Sequence, residues 1–442
     1  MSTRSALLTS ALALAALAAA PERAAALDVP ASKTAIEARL DKDYPALDAL
    51  YKDIHAHPEL GFQETATAAK LAKQMRALGF EVTEGVGKTG IVAIYHNGPG
   101  PVVLVRTEMD GLPMEEKSGL PWASKATQMW NGKVNPVAHS CGHDIHMAAW
   151  VGAAKQLVAM KDKWSGTLMF IGQPSEETVG GARAMLEDGL FTRFPKPDIG
   201  FGLHVGPDAF GSVSYRAGVI SSNSDSLEIL FKGRGGHGSM PAMTIDPVMM
   251  GARFVVDVQS VVSREKDPAS FGVVTVGAFQ AGSAGNIIPD QALLRGTIRT
   301  YDAQVRARLH DGIQRTADAV AAMAGAPKPE VSLVAGGKAV INDAAVTART
   351  AAVFKAAFGD KAWEQPAPGP ASEDYSEYII AGVPSLFFSI GGLDPKALAE
   401  ARAAGKPVAA NHSPFFAPVA EPSIRTGVTA MTLAVLDVME KK

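Results

Sequence analysis

The chain carries one cysteine, Cys141, and no run of Lys and Arg long enough to track a phosphate backbone. A lone thiol excludes an internal disulfide framework, and a formal net charge of −3 gives nucleic acid no footprint. Beyond the first residues no apolar run approaches the length of a membrane span. With 47% hydrophobic and 20% charged residues over 442 positions, the composition suits a well-cored globular protein of two or three domains, neither disordered nor fibrous.

The N-terminus is where apolar residues do concentrate. Arg4 precedes an apolar run from Ala6 to Ala20, and small residues follow up to Ala26. That layout predicts a secretory signal peptide over 1–26, a mature chain from about Leu27 and a periplasmic or secreted location. Such compartments oxidise thiols, so an unpaired cysteine there is either buried and inert or occupied. Cys141 stands in "HSCGHDIH", between histidines and beside an acid, in a polar segment bearing a glycine. This favours occupation by a metal, which protects a thiolate and uses it.

Periodicity sets out the organisation. Helical patterns flank "HPELGFQE", and "GIVAIYH" and "PVVLVRTEMD" read as adjacent strands joined by "NGPG". A helix over about 147–160, the strand "GTLMFIGQ", a helix at "GGARAMLEDGLF" and the strand "DIGFGLHV" continue an α/β alternation. Over 222–334 the order becomes strand, helix, two strands, helix, strand, a ferredoxin-like α+β sandwich. The α/β texture then returns, which predicts one domain over 27–221 and 335–442 with a second domain inserted over 222–334.

Five stretches, "RTEMDG", "HSCGHDIH", "QPSEET", "GLHVGP" and "NHSPF", place His, Cys, Asp or Glu where strands meet loops, the ligand-binding side of α/β sheets. Gly142 lets the chain turn so that Cys141 and His143 face one centre. Thiolate, imidazole and carboxylate together suit Zn(II), Mn(II) or Co(II) better than Mg(II) or Ca(II). The adjacent Glu176 and Glu177 can divide labour, one binding metal and the other accepting a proton from water. His204 and His412 carry no message alone, since an isolated histidine is as readily a core or surface residue; His237, in a glycine-rich loop of the inserted domain, reaches a substrate only if that domain folds over the sheet or a second subunit supplies it.

Together these stretches resemble the M20 metallopeptidase family, in its amidohydrolase branch of hippurate hydrolases, N-acyl-amino-acid amidohydrolases and auxin-conjugate hydrolases. Further matches are "GGARAML", "GRGGHGSMP", "GNIIPDQALLRGTIRT" and "ASEDYSEY". The resemblance implies that 27–221 with 335–442 form a mixed-sheet, zinc-exopeptidase-like catalytic domain, that 222–334 form a lid or dimerisation domain, and that each subunit holds two divalent metal ions, Mn or Zn, with Co or Ni as alternatives. It implies metal ligands at Cys141, His143, Glu177, His204 and His412, and a general base at Glu176. It further implies an oxyanion donor at His237, reaching across a homodimer interface, and substrate contacts at Asn286 and Arg299. A guanidinium pairs bidentately with a carboxylate, so the implied substrate is a small N-acyl amino acid with a free carboxyl group. A dipeptidase or carboxypeptidase of the same fold is the alternative. A solute-binding protein gives no reason for such a ligand set with a spare carboxylate.

Two features depart from the family pattern. Glu108 stands where aspartate is usual, leaving Asp110 as the expected partner that orients a ligand histidine. The segments "SKATQMWNGKVNPVA" and "ALAEARAAGKPVAA" are longer than in many relatives and bear on acyl-group specificity.

Overall fold

A computed structural model describes residues 27–441. The expected signal peptide over 1–26 lies outside them. An eight-stranded mixed sheet runs in the order 81–86, 90–97, 166–173, 102–108, 199–209, 385–393, 213–215, 362–364. The central strands 166–173, 102–108, 199–209 and 385–393 are mutually parallel. Strands 81–86 and 90–97 join antiparallel at one edge.

The strands "GIVAIYH" and "PVVLVRTEMD" are not neighbours. The strand Gly166–Gln173 lies between them, antiparallel to the first and parallel to the second. The physical reason is burial: Gly166–Gln173 is apolar on both faces and buried along nearly its whole length, so it needs a partner on each side. Helices α1 (Val29–Ala56), α2 (Thr65–Ala77) and α3 (His143–Ala159), with the helix Ala420–Met439, cover one face of the sheet in a single apolar cluster. The helices at 181–187 and 376–380 close the other face around Met185, Tyr375 and Tyr378.

A second, wholly antiparallel sheet runs in the order 272–281, 291–300, 223–232, 330–335. The helices Pro247–Ser260 and Ala303–Met323 pack on it with their own core of Leu227, Phe231, Phe254, Leu294 and Ile313. The order of elements is the one the sequence pattern predicts. Its entering and leaving strands pair with each other, Asp225 opposite Ala335. There the Asp225 carboxylate accepts from Arg306 Nε at 2.8 Å, His310 Nε2 at 2.7 Å and Gly336 N–H at 3.2 Å. One buried carboxylate thus ties the helix Ala303–Met323 to the crossing strands. Among the described residues no helix is long and apolar enough to cross a membrane.

Candidate metal centre

Two sequence decisions shape the centre. Gly142 takes φ +92°, and a Cβ added there would stand 2.3 Å from Val205 Cγ1. Only glycine lets the chain turn sharply under strand 199–209 and start α3 at His143, four residues before the periodicity predicts. The paired glutamates lie three and four residues past the strand Gly166–Gln173, in a loop strained by φ +50° at Ser175 and +54° at Val179. Two carboxylates hold that loop. Asp110 accepts from the backbone N–H of Glu176 and of Glu177, both at 3.0 Å, and Glu64 accepts from Ser175 N–H at 2.7 Å.

The five expected ligand residues come together. Cys141 Sγ lies 3.4 Å from His204 Nε2, and Glu177 Oε2 lies 3.3 Å from His412 Nε2. Glu177 Oε1 is 3.9 Å from His143 Nε2, and one ligand atom each from Cys141, Glu177 and His412 fall within 4.8 Å of one another. His204 is in the middle of its strand, not at the end. His412 adopts φ +67°, held by its N–H to Ser140 O at 2.8 Å. Beside it, Asn411 Nδ2 donates to Cys141 O at 2.8 Å and Val205 O at 3.0 Å, joining three ligand-bearing segments.

Tautomers follow from these partners. His143 Nδ1 donates to Asp110 O at 2.7 Å and His204 Nδ1 to Val205 O at 2.8 Å, so in the neutral ring each leaves Nε2 as the bare nitrogen facing the centre. Asp110 thus meets His143 chiefly through its carbonyl, while its carboxylate organises the glutamate loop. The spacing of His146 from His143 would suggest another ligand, yet its Nε2 accepts from Val205 N–H at 2.7 Å and its Nδ1 donates to Glu108 at 3.0 Å. His146 is a brace.

The donor set fits a cation. His143 Nε2 and Glu177 Oε1 are buried without a hydrogen-bond partner, which apolar surroundings penalise. Burial pushes Cys141 and Glu176 up, and neighbouring acids push both further. Burial pushes His143 down, but Glu108, Asp110 and Glu177 outweigh it and lift it to about 10. The cluster favours positive charge at its centre, and thiolate, imidazole and carboxylate together suit a borderline divalent ion.

Behind Glu176 lies a network that sequence reasoning missed. Arg106, fully buried, pairs with Glu108 at 2.9 Å, Glu373 at 2.8 Å and Asp374 at 3.3 Å, and donates to Gln173 at 3.0 Å. Carboxylate oxygens of Glu176, Glu373 and Asp374 gather within 4.8 Å. "ASEDYSEY" was the available signal, without a partner to explain it.

Of His237, Asn286 and Arg299, the first two stand apart from this cluster. His237 lies in a two-stranded ribbon opposite Ile287, and Asn286 directly precedes the ribbon's second strand, its O accepting from Gly238 N–H at 2.8 Å. Among the described residues neither is hydrogen-bonded to the cluster. Arg299 donates to Ser372 Oγ at 3.1 Å, beside Glu373, so it alone of the three touches the main domain's acidic segment.

Gly142→Ala tests the turn. The added Cβ meets a positive φ, about 1–2 kcal/mol, and a clash with Val205, about 1–3 kcal/mol. A loss of about 2–5 kcal/mol in denaturant unfolding is expected, with Val205→Ala recovering the clash share in a double-mutant cycle. Additive effects of the two changes would refute the contact.

Comparison with known proteins shows the family. Residues 104–437 match the model of peptidase family M20/M25/M40. Hippurate hydrolase of Campylobacter jejuni is 40% identical over 270 residues, covering 61% of this chain and 68% of that protein. N-acetyl-L-cysteine deacetylase of Bacillus subtilis is 33% identical over 348 residues, covering 78% and 80%. Thermostable carboxypeptidase 2 of Saccharolobus solfataricus is 34% identical over 350 residues, covering 78% and 85%. The crystal structure of the Bacillus subtilis YXEP protein, described as a dinuclear metal binding peptidase from the M20 family, superposes with TM-score 0.72 at 27% identity over 90% of this chain and all of that one. The chain belongs to peptidase family M20/M25/M40 and is a metal-dependent hydrolase of that family.

Proposed function

We propose that this hydrolase releases an amino acid from an N-acyl or N-aroyl conjugate, with Glu176 as general base and Cys141, His143, Glu177, His204 and His412 as ligands of two divalent ions. The observation that carries the division of roles is the split of the glutamate pair. Glu177 faces Cys141 and His412, whereas Glu176 turns toward Glu373 and Asp374. When bound, the ions would polarise the amide carbonyl and make water a better nucleophile. Manganese or zinc suits the donors, with cobalt or nickel as alternatives.

The chain's own residues supply the rest. Glu176 takes the proton of the attacking water and returns it to the leaving amine nitrogen. His237 Nδ1 accepts from Ser239 N–H at 3.2 Å, so a neutral His237 carries its proton on Nε2, free to stabilise a developing oxyanion. It is exposed among Met240, Met243 and Ile287, themselves 57–71% exposed, which supports a homodimer in which it serves a second copy. Arg299 and Asn286 would hold the substrate's free carboxylate. The domain limits 27–221 with 335–442 and 222–334, and export through residues 1–26, belong to the same reading.

The relatives named as deacetylases and as a hippurate hydrolase favour acyl conjugates, and the carboxypeptidases keep a peptidase reading as the alternative. Purified protein loaded with defined metal is expected to free amino acid from N-acetyl, N-benzoyl or indole-acyl conjugates faster than from dipeptides. Cleavage of dipeptides alone would establish the peptidase reading instead.

A further inference from the structure

The imidazole of His55, at the C-terminal end of α1, is 5% exposed and sits between two carboxylates. Its Nδ1 is 2.6 Å from Asp144 Oδ2 and its Nε2 is 2.9 Å from Glu116 Oε1. Carboxylate oxygens accept, so each ring nitrogen donates and the ring is an imidazolium joining two acids. Neither acid belongs to the proposed ligand set.

What the two acids hold gives the arrangement its meaning. Asp144 directly follows His143, and its other oxygen accepts from Ile145 N–H at 2.9 Å in the first turn of α3. Glu116 gathers the loop after strand 102–108, accepting from Ser124 N–H at 2.6 Å and from Ser118 Oγ. The next residue, Lys117, donates its N–H to Pro414 O at 2.7 Å, two residues beyond His412. A continuous path therefore runs from His143 through Asp144, His55 and Glu116 to the segment bearing His412. Its far end needs support, since the His412 side chain is 57% exposed and its backbone is in the left-handed region.

We propose that His55 is a positioning residue for the metal centre, clamping the segment of Cys141 and His143 to the loop that fixes His412, and so setting how tightly the centre holds its cations. The proposal rests on the metal-centre reading above. A buried ion pair adds little net stability over an apolar packing, because desolvation offsets the attraction. What it supplies is geometry: a planar ring with two opposed donors fixes the distance between two acids, which glutamine, donating from one end, does not.

The test uses the full chain, stripped with chelator and titrated calorimetrically with Zn²⁺ or Mn²⁺, for wild type, His55→Gln, Glu116→Gln and the double variant. Thermal unfolding of each metal-free protein runs alongside. In His55→Gln the dissociation constant of the more weakly held cation is expected to rise about 10–100-fold, the usual effect of losing a partner behind the ligands. Hydrolysis at limiting metal falls in step and recovers at saturating metal. Glu116→Gln moves the same way, and the double variant is no worse than His55→Gln, because both act on one path. Should His55→Gln fail to fold, Glu116→Gln, which alters only the loop end of the clamp, decides the matter.

A lowered melting temperature with cation affinity within twofold of wild type, or lost activity that saturating metal does not restore, overturns the clamp. Normal uptake by wild type alongside unchanged uptake by the variants overturns the clamp alone. No cation uptake by wild type overturns the metal-centre reading and the clamp with it.

Discussion

Glu176→Gln is expected to lower kcat about 10²–10⁴-fold while cation uptake stays at the wild-type level, the range a positioned general base contributes. The substitution keeps shape, and the Glu176 N–H remains bonded to Asp110 at 3.0 Å, so the strained loop has no reason to move. What is lost is the ability to take a proton. Uptake persists because Cys141 and His412 gather around Glu177, not Glu176. Glu177→Gln should show the opposite pattern, with cation affinity failing first and activity following it. The contrast is informative because both glutamates approach His143 Nε2 to 3.9 Å, so this distance alone does not separate base from ligand. Isothermal titration and steady-state kinetics on the same preparations separate them. If Glu176→Gln keeps more than a tenth of wild-type kcat at full cation occupancy, the base is another group. Glu373 is then the next candidate, since its carboxylate is within reach of the same space.

Much of this centre is legible in local sequence, because its proposed ligands lie in short segments of polar residues that interrupt apolar strands. "HSCGHDIH" contains its own turn at Gly142, and "SEE" follows an apolar strand that must end inside the fold. The second sheet and its helices are legible for a similar reason: six elements in ferredoxin-like order, each with clear periodicity. Other features were hidden because they depend on which strands are neighbours. Placing strand 102–108 next to strand 90–97 hides the fact that Arg106 lies beside Gln173 and faces a segment 267 residues away. Glu108 looked like a substitution that left a gap for Asp110 to fill. In the structure its carboxylate reaches His146 on one side and Arg106 on the other. His55 read only as part of an amphipathic helix, since its two acids come from distant loops.

Arg106→Met is expected to destabilise the protein by at least about 3–5 kcal/mol, the cost of leaving buried charges without their partner. Arg106 has no exposed surface and is the one guanidinium among Glu108, Glu373 and Asp374, with Glu176 close behind. Burial already pushes Glu373 and Asp374 up, and Arg106 is the main influence opposing it in both. Without Arg106 these acids must take up protons or repel one another. Stability of the variant should therefore fall further as pH rises from 5 to 8, read by denaturant unfolding at each pH. Arg106→Lys should fall between, because one ammonium cannot reproduce a planar fork spread over three carboxylates and an amide. Adding Glu373→Gln to Arg106→Met removes one orphaned charge and should restore part of the loss. Equal stability of Arg106→Met and wild type, or no relief from Glu373→Gln, would show that the acids are neutral in the native protein. The consequence reaches the centre itself. Arg106 holds Glu108, Glu108 holds His146, and His146 accepts the N–H of Val205, the residue beside His204. A variant that folds should therefore bind its cations more weakly, although Arg106 lies behind the ligands and touches none of them.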